Sequence, residues 1–139
     1  IDLRGCPGGD RDAFVELAGD FLPKGALIAA IEDHEGDVRE VRATSDGLYA
    51  MPLTLLVDGA TASAAELFAA CLKANRRAIL VGEKTYGKAF AQRVIPSVDR
   101  SRSTYATVSR CRPGGVVIEG CGAMPDVDSR DWLRVVEEP

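Results

Sequence analysis

Histidine is almost missing from this sequence: one residue, His34, stands among 139. That scarcity argues against zinc, whose structural sites draw on Cys and His together. It argues equally against a Ser-His-Asp triad, because His34 lies in the polar turn Glu32-Asp33-His34-Glu35-Gly36, where a solvated side chain is the simplest reading. The four cysteines, Cys6, Cys71, Cys111 and Cys121, are irregularly spaced, with no CxxC pair and no dense framework. Cys71 falls on the apolar face of an expected helix and reads as a buried free thiol. Cys111 and Cys121 flank a Pro113-Gly114-Gly115 turn, and spacing alone leaves a disulfide between them open.

No run of about eighteen apolar residues exists, so no stretch of this sequence reads as a membrane-spanning helix. Basic residues form no long run and the net charge is −4, which excludes a nucleic-acid partner bound through its phosphates. Repeats, linkers and low-complexity segments are absent as well. What remains, 46% hydrophobic and 27% charged residues, suits a single domain, residues 1–139, with a sizeable core. The sequence opens on Ile1-Asp2-Leu3 without a Met, as a chain cut inside a strand does, so the lack of a leader carries no information.

Strands and helices alternate in the first half. Ile1 to Leu3 reads as the end of a buried strand, and Asp10 caps a helix carrying Ala13, Phe14, Leu17, Ala18, Phe21 and Leu22 at helical spacing. Leu27 to Ile31 and Val38 to Ala43 form a hairpin. The apolar strand Leu53 to Val57 leads into a helix from Ser63 to about Asn75, with Ala64, Leu67, Phe68, Cys71 and Leu72 as its inner stripe. Ala78 to Val81 is another buried strand. Strands dominate thereafter, at Phe90 to Ile95, Ser103 to Arg110 and Val116 to Glu119, before a short helix over Asp131 to Val136. The fold class is α/β with a mixed, partly parallel sheet.

Two segments carry chemistry. Ser63-Ala64-Ala65-Glu66 fits a capping box, in which Ser accepts from the third helical N–H and Glu reaches back to the Ser N–H. A nucleophile on a strand-to-helix turn occupies the same kind of place, since a helix N-terminus offers unpaired N–H groups to a developing oxyanion. The second segment, Gly82-Glu83-Lys84-Thr85-Tyr86-Gly87-Lys88, almost spells a phosphate-binding loop. That motif demands Ser or Thr next, where this sequence has Ala89, and it must open a helix, where Phe90 to Ile95 is β-like. Lys88, Phe90 and Gln92 fall on one face of a strand, so the Gln92 amide can hold the lysine. A lysine serving as general base must be neutral, which means lowering an ammonium pKa from about 10.4 towards about 7 to 8. Burial beside Phe90 and Tyr86, away from carboxylates, is the expected means.

Five blocks in order resemble the C-terminal processing peptidases, tail-specific proteases of the S41 type: Asp2-Leu3-Arg4 with Pro7-Gly8-Gly9, Thr61 to Glu66, Val81 to Lys88, Gln92, and Gly122-Ala123-Met124-Pro125-Asp126. The resemblance implies a crotonase or ClpP-like ββα core. It implies that Ser63 is a nucleophile, Lys88 its general base 25 positions later, and Gln92 the residue that orients the lysine. The N–H groups of Ala64 and Gly9 match the family's oxyanion-hole donors, with Gly8 competing for the second role. It further implies polypeptide substrates cut near a C-terminus through an acyl-enzyme, no metal or cofactor, and a bacterial cell envelope or periplasmic setting; a homo-oligomer is compatible with it.

The sequence departs from the family at Gly5 and Cys6, where Asn is frequent, and at Ala89, where Gly is frequent. The family's N-terminal helical part and PDZ domain have no counterpart here, so the chain reads as the catalytic core of a longer protein. Two rivals stand beside the peptidase: a non-catalytic binding module on the same fold, as in retinoid-binding repeats, and an inactive truncated core with an interaction role. Intact Ser63, Lys88 and Gln92 favour the enzyme.

Overall fold

The computed structural model describes residues 1–129, and the helix expected over Asp131 to Val136 lies outside them. Helix α1 (Arg11–Gly19) begins where Asp10, in extended conformation, accepts from the Asp12 and Ala13 N–H groups at 2.8 and 3.0 Å. Two of the donors that a helix start leaves unpaired are thereby satisfied. Phe14 and Ala18 are buried on the helix, Phe21 and Leu22 in the turn beyond it, and Leu17, on the flank of this narrow stripe, is exposed.

Strands β1 (Leu27–Asp33) and β2 (Val38–Arg42) form the expected antiparallel hairpin. Strand β3 (Thr54–Val57), helix α2 (Ala64–Ala74) and strand β4 (Ile79–Gly82) form a βαβ unit, with β3 and β4 paired in parallel from Thr54–Ile79 to Val57–Gly82. Strands β5 (Phe90–Pro96) and β6 (Ser103–Pro113) follow as a long hairpin, and β7 (Val127–Asp128) adds to β4 in parallel. The α/β class holds, and its parallel and antiparallel strands segregate. An antiparallel sheet runs β2-β1-β6-β5 and a parallel one β3-β4-β7.

Helix α2 touches α1, β6 and β4. Every residue from Ala65 to Leu72 is buried, as a helix packed on all sides requires. Its C-terminal end is tied down as well, because Asn75 caps the Cys71 carbonyl and reaches Leu27 on β1 at 3.0 Å.

Two expectations need correction. Ile1 to Leu3 does pair with β3, through Leu3 N–H to Leu56 and Leu56 N–H to Ile1, both 2.9 Å, but it lies at a sheet edge and Ile1 is half exposed. Val116 to Glu119 is no strand: its backbone hydrogen bonds are local turns, among them Val116 N–H to Pro113 and Cys121 N–H to Ile118. Of the three valines and isoleucines there only Ile118 is buried. All four thiols are free, with Cys71 and Cys111 buried and Cys121 exposed. Among the described residues no helix is long and apolar enough to cross a membrane.

Candidate functional site

The turn between β3 and α2 is built around Asp58. Its carboxylate accepts from the Gly5, Ala60 and Thr61 N–H groups at 2.9 to 3.0 Å. Those bonds, the one from Gly5 foremost, hold the Asp58 carboxyl below its ordinary range against the opposing effect of burial. Thr61, fully buried, places its hydroxyl 2.9 Å from the Leu3 carbonyl, and Ala62 N–H donates to Cys6 at 2.9 Å. The loop from Leu3 to Gly9 is thus laced to the approach to Ser63. Gly8 is the point of closest approach, with φ +90° and room for no side chain: a Cβ there would lie 2.5 Å from the Ala62 carbonyl oxygen and 2.7 Å from the Ala64 nitrogen. Gly9 has open space around it.

Ser63 itself has φ 53° and ψ −128°, a conformation costly for any residue with a Cβ. An ordinary N-cap is extended, with negative φ, as Asp10 is. Ser63 and Glu66 do face each other as a capping box. Its strong half is the Ser63 N–H donating to Glu66 Oε2 at 3.0 Å, while the hydroxyl half is too loose to count as a hydrogen bond. Capping therefore leaves the strained backbone unexplained.

The loop after β4 is held from two sides. Gly87 and Lys88 N–H groups donate to Glu66 at 2.8 and 2.7 Å, and Ala89 N–H donates to Glu119. Three successive N–H groups of the would-be phosphate cradle are thus committed to fixed carboxylates, which would also repel a phosphate, and the nucleotide-binding reading falls. Thr85, 1% exposed, donates its hydroxyl to Glu66 at 2.7 Å and accepts from Ala123 N–H at 2.7 Å. Gly122 packs so closely here that a Cβ would meet the Thr85 carbonyl oxygen at 2.2 Å. The block from Gly122 to Asp126 thereby clasps the loop. Its far end is pinned by Asp126, which accepts from Leu80 N–H and pairs with Lys73, both at 2.8 Å. Burial pushes the Asp126 carboxyl up, and those two partners more than reverse it.

Gly9, Ser63, Ala64, Lys88 and Gln92 all line one open cavity of about 610 Å³. Leu67, Ala89, Val108 and Cys111 give it an apolar stretch, and Tyr105 joins it. Arg112 is not among the residues lining the cavity and is engaged with Glu32 at 2.6 Å. Among the described residues the N–H groups of Gly9 and Ala64 have no hydrogen-bond partner, Lys88 has no ion-pair partner, and Ser63, Lys88 and Gln92 are not hydrogen-bonded to one another through their side chains. The expected burial of Lys88 is not found. Lys88 and Gln92 are exposed, Tyr86 is 67% exposed, and the Phe90 ring lies under the Arg110 guanidinium at 5.1 Å. Gln92 lies beyond Ala91, where β5 pairs only with β6 and no other described strand joins them, and Lys88 stands in the loop before β5, exposed at the cavity. Cys111 offers no rival nucleophile, since burial pushes its thiol up to about 11. His34 is exposed, as expected.

Sequence reasoning missed Glu66 as more than a cap, and missed Thr85 and Glu119 altogether. The available signal was the position of Glu66, an acid inside an otherwise apolar buried helix face.

The chain matches the family described as peptidase family S41 over residues 1–129. It is 32% identical over its whole length to a carboxy-terminal-processing protease of Bartonella bacilliformis, and 33% identical to a carboxyl-terminal-processing protease of Synechocystis, covering 31% of each. Among solved structures it is similar to a photosystem II D1 C-terminal processing protease, with a TM-score of 0.76 and 35% identity over 91% of this chain and 33% of that one. Mature CPAF, at a TM-score of 0.76 and 16% identity, shares the fold. The chain spans about a third of the length of the curated relatives it matches.

Proposed function

The chain belongs to peptidase family S41, and we propose that it carries the acyl-transfer site of a serine endopeptidase that cuts polypeptides near their C-terminus, in a bacterial cell envelope. Ser63 attacks the peptide carbonyl, Lys88 takes its proton and passes it to the leaving amine, and water then hydrolyses the acyl-enzyme. Gln92 orients Lys88. The Ala64 and Gly9 N–H groups receive the oxyanion, with Gly8 supplying the close approach that brings Gly9 there. Residues 1–139 act as the catalytic core of the longer protein.

What carries this reading is the strained backbone of Ser63. A serine held at positive φ between a strand and a helix is the arrangement that exposes a nucleophile above a helix N-terminus, and strain of this kind gathers at active sites. The unpaired N–H groups of Ala64 and Gly9 in the same cavity give the second component of an acyl-transfer site. The apolar stretch of the cavity suits an uncharged side chain next to the scissile bond. A peptide laid along the cavity would displace water from Lys88 and supply the desolvation that the open site lacks.

One observation favours a non-catalytic binding module: Ser63 and Lys88 form no side-chain hydrogen bond. Hydrolysis of unstructured peptides by the full-length protein separates the two. Ser63→Ala and Lys88→Ala should each lower kcat/KM by at least about 10³-fold. Cleavage at the parental rate by both variants would overturn the Ser63–Lys88 dyad, and a parent protein that cleaves nothing would leave the binding module as the better reading.

A further inference from the structure

Glu66 is fully buried in the first turn of α2, among alanines, Leu67 and Phe68. A carboxylate in such a place costs several kcal/mol unless every lone pair is used. Here it accepts four hydrogen bonds: from Ser63 N–H and Lys88 N–H on Oε2, and from Gly87 N–H and the Thr85 hydroxyl on Oε1. All four partners donate, three as backbone N–H groups and the fourth as the Thr85 hydroxyl, whose oxygen in turn accepts from Ala123 N–H. Glu66 therefore works as an acceptor only, as the carboxylate form does.

A helix cap needs one of these bonds. The other three come from the loop that carries Lys88, and a well-packed apolar residue would commonly stabilise such a core as well or better. What the carboxylate adds is register. A single oxygen, Oε2, receives the backbone N–H of Ser63 and that of Lys88, so two residues far apart in sequence lie within two hydrogen bonds of each other.

We propose that Glu66 is a positioning residue for the reaction, fixing the Lys88 loop against the Ser63 turn so that the side chains of both converge on one cavity. The proposal rests on the Ser63–Lys88 reading above. Glu66 touches no reacting atom; it acts on where the nucleophile and the base start from. Displacement of a catalytic group by about 1 Å costs on the order of 10²-fold in rate, which sets the size of the effect.

The test is Glu66→Gln in the full-length protein, which keeps shape and puts an amide donor where N–H groups already point. The folded variant should lose about 10²-fold in kcat with KM within about threefold of the parent. Labelling of Ser63 by a small fluorophosphonate, which needs no peptide binding, should slow in parallel. A folded Glu66→Gln protein with parental kcat and labelling rate overturns the proposal, as does a loss confined to KM. Should the variant fail to fold, Thr85→Val and Thr85→Ser decide. The valine must lower kcat and the serine, which retains the hydroxyl, must restore it; equal activity in both overturns the proposal. Ser63→Ala and Lys88→Ala run alongside. If they remain active, the dyad reading itself falls and this proposal with it; if they are dead while Glu66→Gln is fully active, only the positioning role falls.

Discussion

The two sides of the cavity are built in opposite ways. On one side, the Leu3 to Gly9 loop, the turn before Ser63 and the Lys88 loop are joined through Asp58, Thr61, Glu66, Thr85 and Glu119, which engage backbone donors of all three segments while those of Gly9 and Ala64 stay open to the cavity. On the other, β5 and β6 pair with each other from Phe90–Arg110 out to Pro96–Ser103, while only residues 109–113 of β6 also pair with β1. Among the described residues the outer arm has no third strand, and Val94, Ile95, Val98 and Tyr105 are exposed on it. Gln92 sits at its root. The contrast places the backbone of the proposed nucleophile and base in the rigid half and the residue proposed to orient the base in the open half. Backbone geometry is thereby set in advance, and only side-chain geometry is left to be completed when a peptide fills the cavity.

The comparison breaks hardest at Gly8. Gly8→Ala introduces a Cβ 2.5 Å from one backbone atom and 2.7 Å from another at φ +90°, so the loop must withdraw from Ser63. Positive-φ strain plus the lost approach should cost about 2 to 4 kcal/mol in stability and at least about 10²-fold in kcat, read by urea unfolding and peptide hydrolysis. Gly9→Ala, with open space at its Cβ, should be milder on both counts. Equal effects of the two would mean that the lacing of this loop is unimportant.

A smaller effect is expected from acid. The folded-state carboxyl of Asp58 titrates below its ordinary 3.8, chiefly because Gly5 N–H donates to it. A depressed carboxylate contributes stability that is present above the unfolded pKa and is lost as pH falls through the folded one. The rigid half should therefore loosen only below about pH 4. Asp58→Asn should lower the thermal midpoint at pH 7 and flatten its fall below about pH 4. An unchanged acid slope in the variant would remove Asp58 from the clamp.

Legibility followed the same division. Local rules located α1 from Asp10, the β1–β2 hairpin from its turn, and the βαβ unit from two short apolar runs around a small-residue helix, because each is decided by neighbours in sequence. Val116 to Glu119 misled because two valines and an isoleucine look like a strand until hydrogen bonding to the nearest turns claims them. The grouping of Gly9, Ser63, Ala64, Lys88 and Gln92 around one cavity matches the ordering of motifs, while the burial expected for Lys88 is not found, since nothing in the loop leading into β5 says whether a further element will cover it. Glu66 was read as a cap because its other three donors lie 19 to 22 positions away, a distance that no local rule crosses.

The smallest structural effect, and the sharpest use of the contrast, belongs to Gln92. Its side chain is exposed and engages no described partner, so Gln92→Ala should alter unfolding free energy by no more than about 0.5 kcal/mol, as exposed substitutions do. If Gln92 orients Lys88 in the substrate complex, kcat should nonetheless fall roughly tenfold, equivalent to about 1.4 kcal/mol of barrier. The fluorophosphonate labelling rate measured without peptide should change far less, because the open arm contributes only once a substrate bridges the two halves. Gln92→Ala and Glu66→Gln would then give opposite signatures, the first sensitive to substrate occupancy and the second not. A Gln92→Ala protein that slows labelling and peptide hydrolysis equally would show that the arm is already in place in the free protein, and the division into a finished half and an open half would have to be abandoned.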